Sequence, residues 1–77
     1  MTRLPRITGK ELVRVMERDG FTCIGIEGSH HIMQKMFPDK KVTVPVPVHT
    51  GKILKLRTLN GILRKARIPK EQLIKLI

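Results

Sequence analysis

The stretch FTCIGIEGSHHIMQKMFPDKKVTV, residues 21–44, decides the fold. It holds three apolar segments of strand length, residues 21–27, 29 or 30–36, and 41–44, each bounded by turn chemistry. Gly28 ends the first, and Pro38-Asp39-Lys40 joins the second to the third. Lys41-Val42-Thr43-Val44 alternates polar and apolar side chains with period 2, as a half-buried strand does. Pro45 and Pro47 are expected to stop it, because neither can donate to a sheet ladder. Connections this short join antiparallel neighbours, so the predicted unit is a three-stranded meander.

Helical patterns flank the meander. Thr8 and Glu11 form a capping-box signature, in which the hydroxyl accepts a backbone N–H and the carboxylate reaches back. Leu12, Val13 and Met16 follow at helical spacing, with Lys10, Arg14, Glu17 and Arg18 between them, and Asp19-Gly20 closes the helix. The first six residues lie outside it. Residues 45–55 read as a loop containing Pro and Gly. From Leu56, the positions Leu59, Ile62, Leu63 and Ala66 make an apolar face opposite Arg57, Arg64 and Lys65. Asn60-Gly61 within that pattern weakens the helix by about 1 kcal/mol relative to Ala, less than the apolar contacts return. Pro69 at a first helical position, then Glu71, Leu73, Ile74 and Ile77, predicts a short terminal helix. The expected fold is α+β, with order α-β-β-β-α plus a C-terminal helix, in a single domain over residues 1–77. Aliphatic helix faces would cover one side of the sheet and leave the other open.

Size and charge narrow the function. Seventy-seven residues with 40% apolar content, two Phe and no Trp or Tyr can build one small aliphatic core. A large multi-domain enzyme or a deep cofactor cleft is therefore not expected. No apolar run approaches the ~20 residues of a membrane span, and the charged start MTRLPRITGKELVRV lacks the apolar region of a secretory signal. One cysteine, Cys23, permits neither an intramolecular disulfide nor a multi-thiolate metal site, so a reducing cytoplasm is the expected compartment. Sixteen Lys and Arg against six Asp and Glu give a formal charge of +10. Residues 1–20 carry five basic and three acidic groups, whereas residues 52–77 carry eight basic groups against Glu71 alone. Such a field attracts polyanions and suits contact with a phosphate backbone. An anionic membrane fits less well, because the amphipathic face lacks aromatic anchors.

Gly28-Ser29-His30-His31 is the feature that composition does not explain. Adjacent strand residues point to opposite faces, so the two histidines cannot chelate one metal from that strand. A zinc site would need His49 and two further ligands with no visible spacing, and no metal or cofactor is expected. With Ile32 taken as a core residue, the alternation puts His30 on the buried side, supporting the turn. It puts His31 on the open face with Met33 and Lys35. A strand-borne imidazole beside a positive surface can act as base or acid near neutral pH, and Lys or Arg can neutralise a pentacoordinate phosphate. Those are the parts needed to cleave RNA through its own 2′-hydroxyl without metal. The plainer alternative is an ordinary exposed histidine. His49, in Val48-His49-Thr50-Gly51, is first a turn residue and second an RNA contact. Gly51-Lys52 can bring a backbone N–H and an ammonium to a phosphate, although the upstream Gly of a P-loop is absent. Met16, Met33 and Met36 read as packing residues, and Cys23 as a small strand hydrophobe.

Several of these pieces occur together in one known family. The chain resembles HicA-type toxins, small mRNA interferases of type II toxin–antitoxin systems. The resemblance runs from the helix at residues 9–19, ending in Asp19-Gly20-Phe21, through Gly28-Ser29-His30-His31-Ile32 to Val42-Thr43-Val44-Pro45. It continues with His49-Thr50-Gly51-Lys52, Thr58-Leu59 and Ile62-Leu63-Arg64-Lys65-Ala66. It implies a fold like the double-stranded-RNA-binding domain, with both helices on one sheet face. It also implies cleavage of mRNA and neutralisation by a HicB-type antitoxin that covers the active site. The family's catalytic histidine, the last residue of Gly-Ser-x-His, falls on His31. Gly28 and Ser29 carry over as the turn presenting it, and Lys52 as an RNA contact. The expected site is thus His31, supported by Gly28, Ser29, His30 and His49, with Lys35, Lys52, Lys55, Arg57, Arg64 and Lys65 on the RNA. The sequence departs from the family pattern at Arg57 and Arg67, where Gly is usual, and in the Pro- and Val-rich stretch at 44–48. A non-catalytic RNA- or DNA-binding module of the same fold, and a basic subunit of a larger complex, are the alternatives.

Overall fold

A computed structural model describes residues 3–77 of the chain. The first helix, α1 (Gly9–Arg18), starts where the capping box predicts. Glu11 N–H donates to the Thr8 hydroxyl at 3.2 Å, and Thr8 N–H donates to the Glu11 carboxylate at 2.8 Å. The bond from the Thr8 backbone is the main reason the Glu11 carboxyl titrates below its ordinary value. Three strands follow, β1 (Thr22–Glu27), β2 (His30–Met36) and β3 (Lys41–Pro47), in antiparallel order β1-β2-β3. Then come α2 (Leu56–Ala66) and α3 (Lys70–Leu76). The architecture is that of the double-stranded-RNA-binding domain, with an additional terminal helix.

Two strand expectations are corrected. Strand β3 does not stop at Pro45 but runs through it to Pro47. Val48 N–H donates to Ser29 O at 2.7 Å, which fixes the even-numbered residues of β3 as those bonded to β2. Pro45 and Pro47 therefore direct their missing N–H groups outward from an edge strand, where no donor is needed.

The faces of β2 are also the reverse of those expected. Met33, directly opposite Val44 and Cys23, is fully buried beneath the helices. Ile32, His30 and Gln34 lie on the open face, where Gln34 Nε2 donates to the Thr43 hydroxyl at 3.2 Å. The cause is register. Val42, Val44 and Val46 alternate cleanly into the core, and antiparallel partners share a face, so Lys35, Met33 and His31 follow them.

The core lies between the sheet and the helix layer, built on Leu12, Met16, Met33, Val44, Leu59 and Leu73. Helix α1 crosses the sheet diagonally. Its first residue, Gly9, lies so close to Pro47 and Val48 that a Cβ there would run into the Pro47 carbonyl oxygen. Its end, Asp19, lies over the far end of β2, where it accepts from Lys35 Nζ through both its backbone oxygen and its carboxylate. Helix α2 packs along β3. The segments preceding the two helices are joined by the Leu54 N–H to Ile7 O bond at 2.8 Å.

Helix α2 closes at Arg67, which has the left-handed conformation, φ 60° and ψ 37°. A non-glycine residue is strained there by about 1–2 kcal/mol. The same backbone turn aims its guanidinium at Asp39 in a two-pronged pair of 2.8 and 2.9 Å and over the Phe37 ring at 4.6 Å. The strain is thus offset by contacts glycine could not make. The Arg67 hydrogen bonds also hold the Asp39 carboxyl down to about 2.

Candidate active site

The Gly28-Ser29 loop is a two-residue hairpin joining Glu27 to His30. Gly28 has φ 59°, and Ser29 is not in the left-handed region; Gly at the first central position is the pattern of a type II′ turn. The tight turn fixes where His31 leaves the sheet. His31 lies opposite Ile26 on one side and Val46 on the other. Exposure grades across this row from none at Val46, through a half-buried His31, to 61% at Ile26. The diagonal of α1 explains the gradient: at this end the helix stands over β3 and leaves the β1 corner uncovered. His31 therefore opens to solvent at the rim of the helix-covered face, rather than on the bare face that the alternation suggested.

His30, expected to be buried, is exposed on the bare face between Glu27 and Pro47. Support for the turn comes instead from Ser29, whose carbonyl receives the Val48 N–H and so draws the following loop to the same end of the sheet. His49 is an exposed turn residue in that loop, its carbonyl accepting from Lys52 N–H at 3.0 Å. His49, Lys52, Lys55, Thr58 and Pro47 help line an open cleft of about 300 Å³ beside the hairpin. His31 is not one of its walls. Arg57 is exposed in the first turn of α2.

Two groups of expected RNA contacts lie elsewhere. Lys35 is at the opposite end of β2, its ammonium 3.1 Å from the Asp19 carboxylate and near the rings of Phe21 and Phe37. That engagement removes it from the free basic surface. Arg64 and Lys65, in the last turn of α2, stand about 14 Å along the helix from Lys55. With Lys40, Lys41 and Thr43 they line a second cleft of about 350 Å³. Lys40 and Lys41 escaped the sequence reading because the first looked like turn chemistry and the second like the polar phase of a strand; two adjacent cations at the start of that strand were the available signal.

Among the described residues, no helix is long and apolar enough to cross a membrane. The family model described as HicA toxin of bacterial toxin-antitoxin matches residues 9–68, from the first residue of α1 to just beyond Arg67. The chain belongs to the HicA toxin family. As such it is the toxin of a toxin–antitoxin pair and has an antitoxin as partner. A search of curated proteins finds no match. In this HicA chain the family match contains the hairpin, His31 and both basic clefts, whereas α3 falls outside it.

Proposed function

We propose that this HicA toxin is an endoribonuclease that cleaves mRNA without a metal, using His31 as general base or acid. The observation that carries this reading is the position of His31. It is fixed at the root of a tight hairpin, open to solvent at an uncovered corner, and at the same end of the sheet as Lys52, Lys55 and His49. As a base, the imidazole takes the proton of a 2′-hydroxyl. The O2′–P bond then forms, the P–O5′ bond breaks, and O5′ leaves with a proton from water or from the imidazolium. The products are a 2′,3′-cyclic phosphate and a 5′-hydroxyl. Lys52 and Lys55 would stabilise the extra negative charge of the pentacoordinate phosphate, an effect that is strongest where water is partly excluded. Acting on mRNA, the toxin would work in the cytoplasm, and a HicB-type antitoxin would silence it by covering the His31 corner.

The test is cleavage of a long unstructured RNA in excess chelator, with His31→Ala alongside. A general acid–base contribution corresponds to a loss of about 10²-fold or more. One observation favours a non-catalytic RNA-binding module: His31 is half-buried and lines neither basic cleft. Intact RNA in both reactions with binding retained would establish that alternative. Equal cutting by both proteins would remove His31 from the mechanism.

A further inference from the structure

The second basic cleft is far from His31 and is built from residues the cleavage chemistry does not need. Register places Lys41 opposite Met36 and Val46 opposite His31, so the two sites are five strand residues apart, or about 17 Å. Five cations line this cleft; Arg67 is held by Asp39, and the other four are Lys40, Lys41, Arg64 and Lys65. None of those four is in an ion pair among the described residues, whose two ion pairs are Lys35–Asp19 and Arg67–Asp39. The nearest acid in sequence, Asp39, has both carboxylate oxygens held by Arg67, so its charge is compensated locally.

Hydrogen-bond donors accompany the charges. The Thr43 hydroxyl, on the open face beside this edge, accepts from Gln34 and is left free to donate its own proton. Odd-numbered residues of β3 direct their backbone N–H groups away from β2, so the Thr43 amide also faces outward along the free edge. Cations, a hydroxyl and an edge amide are the donors that bind phosphate oxygens. A docked protein would instead need an apolar centre, and the one apolar wall here, Val42, is only 6% exposed.

We propose that the cleft between the free edge of β3 and the last turn of α2 is a second RNA-backbone subsite. It holds the strand at a distance from the bond cut at His31, and it rests on the ribonuclease reading above. At a rise of ~3.4 Å per stacked nucleotide, 17 Å corresponds to about five nucleotides between the two sites. The cleft thus sets a minimum length for tight binding and plays no part in bond breaking.

The experiment measures affinity of single-stranded RNAs, from dinucleotides to chains of about ten nucleotides, in the His31→Ala background so that nothing is cut. The proteins compared are the parent, Lys40→Glu/Lys41→Glu, the milder Lys40→Ala/Lys41→Ala, and a charge-matched control, Arg14→Glu/Lys75→Glu. Thermal midpoints verify that each is folded. Both cleft variants should bind dinucleotides like the parent. The reversal variant should bind the longer RNA about tenfold or more weakly, and the alanine variant should have a salt slope lower by about 1.4, for two lost contacts at 0.7 each. Equal affinity and slope at every length would overturn the subsite, as would an equal loss in the control. Unchanged RNA affinity with weakened antitoxin binding would reassign the cleft to that partner. If the parent bound no RNA of any length, the ribonuclease reading itself would fall. If the cleft variants lost affinity for long RNA while His31 proved dispensable for cutting, only the assignment of His31 would fall.

Discussion

The two ends of β2 carry similar sequence chemistry and have opposite fates. At the His31 end the cations Lys52 and Lys55 are exposed and unpaired among the described residues, and the backbone turns are tight. At the Lys35 end, the ammonium is held by Asp19 between two phenylalanine rings, and Arg67 is clasped by Asp39 over Phe37. Phe21 and Phe37 themselves meet edge to face at 6.4 Å. At one end Lys35 and Arg67 hold the helix layer to the sheet, beside the unpaired cations of the second cleft; at the other, Lys52 and Lys55 are both left available. A count of lysines and arginines therefore overstates the binding surface, and pairing decides which of them a phosphate can reach.

The contrast can be broken most forcefully at Gly9. Gly9→Ala puts a methyl group into the Pro47 carbonyl and must push α1 away from the His31 end. A loss of about 2–3 kcal/mol in denaturant unfolding is expected, with activity falling along with it; unchanged stability would show that the close approach is not maintained. Lys35→Ala tests the other end. It leaves the largely buried Asp19 carboxylate without its cation and should destabilise by about 1–2 kcal/mol, while RNA affinity stays the same. A clear drop in RNA affinity with intact stability would return Lys35 to the binding surface.

Between the two ends, Gly61 lies on the exposed side of α2 with open space where a Cβ would project. Gly61→Ala should therefore stabilise by about 1 kcal/mol, and weakened RNA or antitoxin binding would show that the bare backbone is used for contact. The smallest effect is acidic. Because pairing with Arg67 lowers the Asp39 carboxyl from 3.8 to about 2, its contribution to stability is complete above 3.8 and is lost as pH falls through 2. Asp39→Asn should flatten the acid side of the stability curve in that window. An identical curve for both proteins would make the clasp energetically silent.

Where local chemistry determines structure, the sequence is an accurate guide. The Thr8–Glu11 box, the Gly28-Ser29 turn and the α2 stripe appear where the residues place them, and the terminal helix forms with Pro69 as its extended N-cap rather than as its first helical residue. The failures are tertiary. Ile32 and Met33 are adjacent and both apolar, so β2 alone permits either face to be the core; only its register with the valines of β3 settles which. Proline looks like a strand terminator until the strand is known to lie at an edge. Lys35 looks free until folding brings up Asp19, sixteen residues away. The candidate site inherited the first of these errors: His31 was legible as a residue, but the face it occupies was not.

The prolines of β3 have a further consequence, for solubility. Without N–H groups at Pro45 and Pro47, that margin of the sheet presents an interrupted row of donors. On the opposite margin, β1 loses register between Cys23 and Gly25, with Ile24 as the extra residue. Neither margin offers a continuous template to a fourth strand, so a highly charged toxin that exposes isoleucine along β1 is still guarded against growing edge to edge into a fibre.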